Sequence, residues 1–244
     1  MVTARKGYRT WLMHIDKLGP LGTFSLGDSM EIRLGEISLF YVKQGVGKPL
    51  ILLHGNGESH QTFSHAMDEL SQTYTVYAVD SRNHGQSTMT DQFHYDVMAN
   101  DIVDFVEKLQ LNEVTMVGFS DGGILCLLIA AKQPAWLKKI IVMGANLYPN
   151  GVKPNINRIT LVDYERSKNP YLKMMLDEPM ITNEMLHRIT AETVVCAGSN
   201  DVIMKGHTKK IANHIKNSKL IILEGETHES YVVRGPHLVN IITK

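Results

Sequence analysis

Val114-Thr115-Met116-Val117-Gly118-Phe119-Ser120-Asp121-Gly122-Gly123 is the stretch on which the reading of this chain turns. Val114 to Val117 is a short, apolar, largely β-branched run, the pattern of a buried strand. Ile124 to Ala131 is apolar, with Ala and Leu, and reads as a buried helix. Between them, Gly118-Phe119-Ser120-Asp121-Gly122 fits G-x-S-x-G. A serine on so tight a strand-to-helix turn takes a strained backbone. Bulky side chains two residues to either side would collide, and Gly118 and Gly122 remove them. The following helix aims its first N–H groups at the serine, where an oxyanion would form. The pattern is short and built from common residues. A nucleophilic Ser120 therefore needs a base, an acid and an oxyanion site from the rest of the chain.

The remainder is long enough to supply them. A chain of 244 residues buries one large core. Lys plus Arg equals Asp plus Glu at 25 each, which gives no electrostatic case for nucleic acid or an anionic membrane. Apolar residues make up 43%, too many for a disordered chain. Cys126 and Cys196 fall inside expected core elements and read as buried and reduced, which suits a cytoplasmic protein. There is no run of 18 apolar residues, so no membrane span is expected. Residues 1–22 carry Arg5, Lys6 and Arg9 without an apolar segment. They read as an extension ahead of the first strand, not as a secretory signal.

Working outward from the turn, strands and helices alternate. Met30 to Leu34 and Ile37 to Val42 alternate in polarity around Gly35-Glu36, a hairpin signal. Strands follow at Leu50–Leu53, Tyr74–Val79, Leu137–Met143, Glu192–Ala197 and Leu220–Leu223. Helical periods cover Gln61–Leu70, Tyr95–Leu109 and Lys209–Ile215, and a closing helix lies near Ser230–Ile242. The expected fold is α/β: a mostly parallel eight-stranded sheet with helices on both faces. Ligands bind such sheets at the carboxyl ends of the strands. The interval from Tyr148 to Ile189 breaks the pattern with four prolines and with Met174, Met175, Met180 and Met185. It reads as a crossover helix plus a small helical lid, with Met174 and Met175 lining an adaptable apolar pocket or packing the lid down. The organisation is thus 1–147 and 192–244 as one core, with 148–191 as lid and crossover.

Of the 11 histidines, His228 alone combines a loop after the last strand with the final place in the order Ser, Asp, His. It is the candidate general base. Asp201, reached after Gly198 at a strand end, is the candidate acid that orients the imidazole. A helix cap or turn is its structural alternative. His54-Gly55-Asn56-Gly57 follows a strand, and its glycines let backbone approach a substrate. The oxyanion donors would be the backbone N–H groups of Asn56 and Asp121, with no side chain required. Gly55-x-Gly57 is not a dinucleotide loop, because the third glycine would fall at His60. Gly45-Val46-Gly47-Lys48-Pro49 is not a phosphate loop, and His60 with His65 is not a zinc motif. No metal or cofactor is expected. Asp80-Ser81-Arg82 with His84-Gly85 reads as a buried polar turn bracing strand ends.

With these motifs in this order, the chain resembles the α/β-hydrolase superfamily over nearly its whole length. Asp80-x-Arg82-x-His84-Gly85-x-Ser87 also looks like a segment of that superfamily. Gly118 to Ile124, Ala130-Ala131-Lys132-x-Pro134 and Gly144-Ala145-Asn146 are similar to the biphenyl-hydrolase-like (valacyclovir hydrolase) group. That resemblance implies cleavage of small carboxylic esters, and a contact between Asp121 and a substrate amine. The lid is shorter than in that group, and the oxyanion loop differs. Carbon–carbon or thioester hydrolysis could use the same triad, and the same fold could serve as a small-molecule receptor. Ser120 in place of an aspartate argues against dehalogenase or epoxide hydrolase chemistry. Multiple turnover separates enzyme from receptor. The sequence does not set an oligomeric state.

Overall fold

A computed structural model describes residues 27–233 and 237–243. The extension expected over residues 1–22 lies outside them. The first hairpin is β1 (Asp28–Leu34) and β2 (Ile37–Gln44), paired antiparallel around Gly35. Six further strands follow: β3 (Lys48–Leu53), β4 (Tyr74–Val79), β5 (Val114–Phe119), β6 (Leu137–Met143), β7 (Glu192–Gly198) and β8 (Ser218–Leu223). They complete an eight-stranded sheet in the order β1-β2-β4-β3-β5-β6-β7-β8. β2 meets β4 antiparallel, and every pair from β4 to β8 is parallel.

The parallel strands are apolar at nearly every position because helices cover both faces. Side chains alternate across the sheet. Ile51, Leu53, Met116, Ile140 and Val142 enter one core, with α2 (Tyr95–Lys108), α3 (Asp121–Ala130) and α7 (Lys205–His214) against them. Leu50, Leu52, Val117, Ile141 and Met143 enter the other core. There they meet α1 (Ser64–Leu70), α8 (Ser230–Val233) and α9 (His237–Thr243). α3 follows β5 directly and all ten of its residues are buried. That explains its lack of a polar face.

Between β6 and β7 the chain makes a short 3-10 turn at Pro149–Gly151, then α4 (Pro154–Ser167), α5 (Pro170–Asp177) and α6 (Asn183–Arg188). Pro154 and Pro170 each open a helix, where a missing N–H costs nothing. The base of this insertion is tied to the loop after β7: Lys153 N–H donates to the Val202 carbonyl at 2.9 Å and Met204 N–H to the Gly151 carbonyl at 2.8 Å. α4 and α5 stand over the strand ends, while Leu186 of α6 joins the core beside α3 and α7. Among the described residues no helix is long and apolar enough to cross a membrane.

Candidate active site

The turn after β5 is built as its glycines require. Ser120 has φ 53° and ψ −113°, a conformation that L residues rarely hold. A Cβ on Gly118 would lie 2.0 Å from the Gly122 carbonyl oxygen, and one on Gly122 would lie 2.0 Å from the Leu53 carbonyl oxygen. Any side chain at either position would push α3 off the strand ends. The N–H of Ser120 donates to the Met143 carbonyl at 2.8 Å, continuing the β5–β6 ladder into the turn.

His228 and Asp201 come to this serine from the loops after β8 and β7. His228 Nε2 is 3.1 Å from Ser120 Oγ, and His228 Nδ1 is 2.7 Å from Asp201 Oδ1. The Ile203 N–H also donates to Asp201 Oδ1 at 2.9 Å. The Phe119 ring packs on the imidazole, with centroids 4.9 Å apart. Burial alone would lower the His228 pKa. The Asp201 carboxylate, helped by Glu229 and Glu58, outweighs it and holds the imidazole above its ordinary value. For Asp201 burial works upward, but the charge and hydrogen bond of His228 prevail and its pKa is lowered. Such a pair keeps a proton on Nδ1 and leaves Nε2 free to accept one from Ser120.

The loop after β3 comes close to the serine: a Cβ on Gly55 would lie 3.2 Å from Ser120 Cβ. Gly122 N–H donates to the His54 carbonyl at 3.1 Å and pins the start of α3 to the end of β3. Among the described residues, no acceptor pairs with the backbone N–H of Asn56 or of Asp121. Both residues border the cavity that holds Ser120. The buried ring of His54 accepts from Ser81 N–H at 3.1 Å through Nε2, so Nδ1 carries the proton toward the Gly55 carbonyl. Burial and then His84 push its pKa down to about 3. His54 is a neutral strut between the loops after β3 and β4.

The turn Asp80 to Ser87 braces the strand ends. Asp80, fully buried, accepts from His60 N–H at 2.6 Å, from Gln86 N–H at 2.8 Å and pairs with His60 Nδ1 at 2.8 Å. Arg82 grips Asp101 of α2 through two bonds of 2.7 Å. His84 and Gly85 of the same turn border the cavity.

That cavity, about 1310 Å³, runs from Ser120 and His228 up to α4 and α5. Several of its walls had no sequence signal. Tyr95 borders it beside Tyr171 and Glu178, which come from a distant part of the chain. Glu178 accepts the Tyr95 N–H at 3.0 Å, and the Tyr171 hydroxyl donates to the Asn83 carbonyl. Glu58 and Glu229 do carry a signal, since each sits beside a motif already singled out. The methionine expectation needs correction. Met175 borders the cavity, whereas Met174 does not: it is 2% exposed and packs in the main core. Successive helical residues diverge by about 100°, so adjacent methionines on α5 cannot both face one pocket. Met180 is 69% exposed and Met185 packs against the core. The walls contributed by α4 are more polar than expected, with Thr160, Asp163 and Arg166.

Known proteins share this layout. The α/β hydrolase fold family matches residues 48–167, across the loop after β3 and the serine turn. Serine hydrolase BPHL of Homo sapiens is 25% identical over 256 residues, covering 90% of this chain and 87% of its own. A protein of Haemophilus influenzae named for esterase/lipase activity is 27% identical over 164 residues, covering 64% of this chain and 57% of its own. Among solved structures, a meta-cleavage product hydrolase from Pseudomonas fluorescens IP01 superposes with a TM-score of 0.74 at 18% identity. It covers 89% of this chain and 96% of that one. Strand order, serine turn, family match and near full-length likeness agree: the protein has the α/β-hydrolase fold and is a hydrolase.

Proposed function

We propose that the protein is a serine hydrolase that cleaves a small carboxylic ester through an acyl-enzyme. The observation that carries this reading is the unbroken relay from Ser120 through His228 to Asp201, at 3.1 and 2.7 Å, at the floor of a cavity. Ser120 Oγ attacks the ester carbonyl carbon as its proton passes to His228 Nε2. The carbonyl π electrons move to oxygen, and the N–H groups of Asn56 and Asp121 stabilise that oxyanion. As the carbonyl re-forms, the C–O bond to the alcohol breaks and His228 returns the proton to the leaving oxygen. Water then repeats the sequence on the acyl-enzyme, releasing the acid and restoring Ser120. Asp201 holds the tautomer and stabilises the imidazolium. No metal or cofactor enters this route. We read residues 148–191 as lid and crossover, and the two buried free thiols as fitting a cytoplasmic protein.

A second observation refines the substrate. Five acidic side chains border the cavity, among them Asp121 and Glu178, against the cations Arg166 and Lys168. That surplus favours an ester carrying an ammonium group. Asp121, which matches the amine-binding position of the group the sequence resembles, would accept it through its remaining lone pairs.

The test is a serine-directed fluorophosphonate followed by peptide mass spectrometry, with turnover of Ser120→Ala alongside. The adduct is expected on Ser120, and Ser120→Ala should lose about 10⁴-fold or more in kcat while staying folded. An adduct elsewhere would remove Ser120 from the chemistry. Matched ester, thioester and carbon–carbon substrates rank the reaction types, and a single turnover would mark a receptor.

A further inference from the structure

Asn56 and Asp121 lie 65 residues apart, on the loop after β3 and at the first position of α3. Their backbone N–H groups are the proposed oxyanion donors, and their side chains also meet. Asn56 Nδ2 donates to Asp121 Oδ2 at 2.9 Å. The hydroxyl of Tyr95, the first residue of α2, donates to Asp121 Oδ1 at 2.8 Å. Both oxygens of a carboxylate on a residue only 4% exposed are thus engaged by donors from two other segments.

We propose that Asn56, Asp121 and Tyr95 form a side-chain clamp that fixes the spacing of the two oxyanion donors, making Asn56 and Tyr95 positioning residues. The proposal rests on the serine hydrolase reading above. An oxyanion site works because its donors are set in place before charge develops. Here the Gly122 N–H to His54 carbonyl bond fixes one side of the gap between the two loops. Asn56 itself stands between Gly55 and Gly57, which give the loop no side-chain packing of its own. Glu58 closes the loop on itself, accepting the Gly55 N–H at 3.1 Å, and the bond from Asn56 Nδ2 is what ties Asn56 across to α3.

The chemistry at each corner suits the task. A carboxylate only accepts, and it can serve two donors at once. Burial and then the Asp121 charge hold the Tyr95 phenol well above its ordinary pKa, so it stays a donor. Away from water each bond is stronger and more directional. Asp121 can do this whether or not the substrate carries an amine.

Asn56→Ala is the decisive variant because it keeps the backbone N–H and removes only the restraint. The probes are p-nitrophenyl acetate, an α-amino ester with its des-amino analogue, and a matched pair of trifluoromethyl and methyl ketones. The trifluoromethyl ketone adds Ser120 to its carbonyl and places a hemiketal oxyanion between the two donors. The methyl ketone reports ground-state binding.

Asn56→Ala should lower kcat about 10- to 100-fold with KM within about threefold, less than the loss of an oxyanion donor outright. Trifluoromethyl ketone affinity should fall in parallel while methyl ketone affinity stays, and both members of the ester pair should lose alike. Tyr95→Phe should move the same quantities less. Asp121→Asn should recover most of the activity lost in Asp121→Ala, because an amide can still bond to a flipped Asn56 and to Tyr95. An Asn56→Ala enzyme with kcat and trifluoromethyl ketone affinity within about twofold of the parent overturns the clamp. So does a loss confined to KM or to the amino ester. Ser120→Ala separates the two failures. Turnover that survives it overturns the hydrolase reading and the clamp together. An inert Ser120→Ala beside an unaffected Asn56→Ala overturns the clamp alone.

Discussion

The loops at the strand ends and the helices above them were made under different constraints. Each floor loop is fixed by backbone contacts that admit few residues. A Cβ on Gly118 or on Gly122 would lie 2.0 Å from a carbonyl oxygen, Ser120 is held at positive φ, and Asp201 is bonded to His228. α5 and the residue that ends it touch the floor through side-chain bonds, Tyr171 to Asn83 and Glu178 to Tyr95. Apolar residues of α4 remain at the surface, including Ile159 at 42% and Leu161 at 49% exposure. The floor is where chemistry demands tenths of an ångström. The roof needs only shape. Substitutions in the floor should therefore appear in rate, and substitutions in the roof in stability or substrate preference.

The largest effects break the floor. Asp201→Asn keeps the shape but offers His228 the wrong hydrogen-bond partner, and kcat should fall by roughly 10⁴-fold with the fold intact. His228→Ala should cost nearly as much as Ser120→Ala, and the double variant little more, because the residues act as a unit. Losses that simply multiply in the double variant would show that Ser120 and His228 work independently, and the floor would lose its claim to be one device.

Legibility in the sequence follows the same division. β4 and β6 were read with their observed bounds, since a strand buried on both faces is a plain apolar run. The serine turn, Asp201 and His228 could be found because each stands just past such a run. Helix starts were harder. α3 begins at Asp121 and α7 at Lys205, ahead of the apolar residues that first reveal them. Contacts across the chain left no mark at all: nothing in the spacing joins Tyr95 to Asp121, or Glu178 to Tyr95. The side chain of Asn56 was set aside because only its backbone N–H was needed. Its bond to Asp121 exists only once β3 and β5 lie side by side. Met174 and Met175 were read as a pair because composition carries no direction.

Those methionines sharpen the comparison at intermediate size. Met174→Ala empties a buried core position and should cost about 2–5 kcal/mol of unfolding free energy. Denaturant melts measure it, and kcat on acetyl esters should barely move. Met175→Ala faces the cavity and should do the reverse, shifting chain-length preference with little change in the melting midpoint. Identical behaviour of the two variants would mean that α5 does not present distinct faces to core and cavity.

The smallest effect tests how charge around the floor tunes its base. In the proposed route His228 accepts the serine proton and must be neutral to do so, so kcat/KM should fall on the acid side as the free enzyme's imidazole protonates. That limb should lie above the ordinary imidazole pKa. Burial pulls the other way but is outweighed by Asp201, then Glu229 and Glu58. Glu229→Gln removes one of those charges without touching Ser120 or Asp201. The imidazolium is then less stabilised, its pKa falls, and the acid limb moves to lower pH. The variant should therefore outperform the parent at acid pH relative to their plateaus. Glu229 is only partly buried, so added salt should shrink the difference between the two profiles. A limb that stays in place, or moves upward, would show that the Glu229 charge does not reach His228, leaving Asp201 and Glu58 to hold the imidazole high.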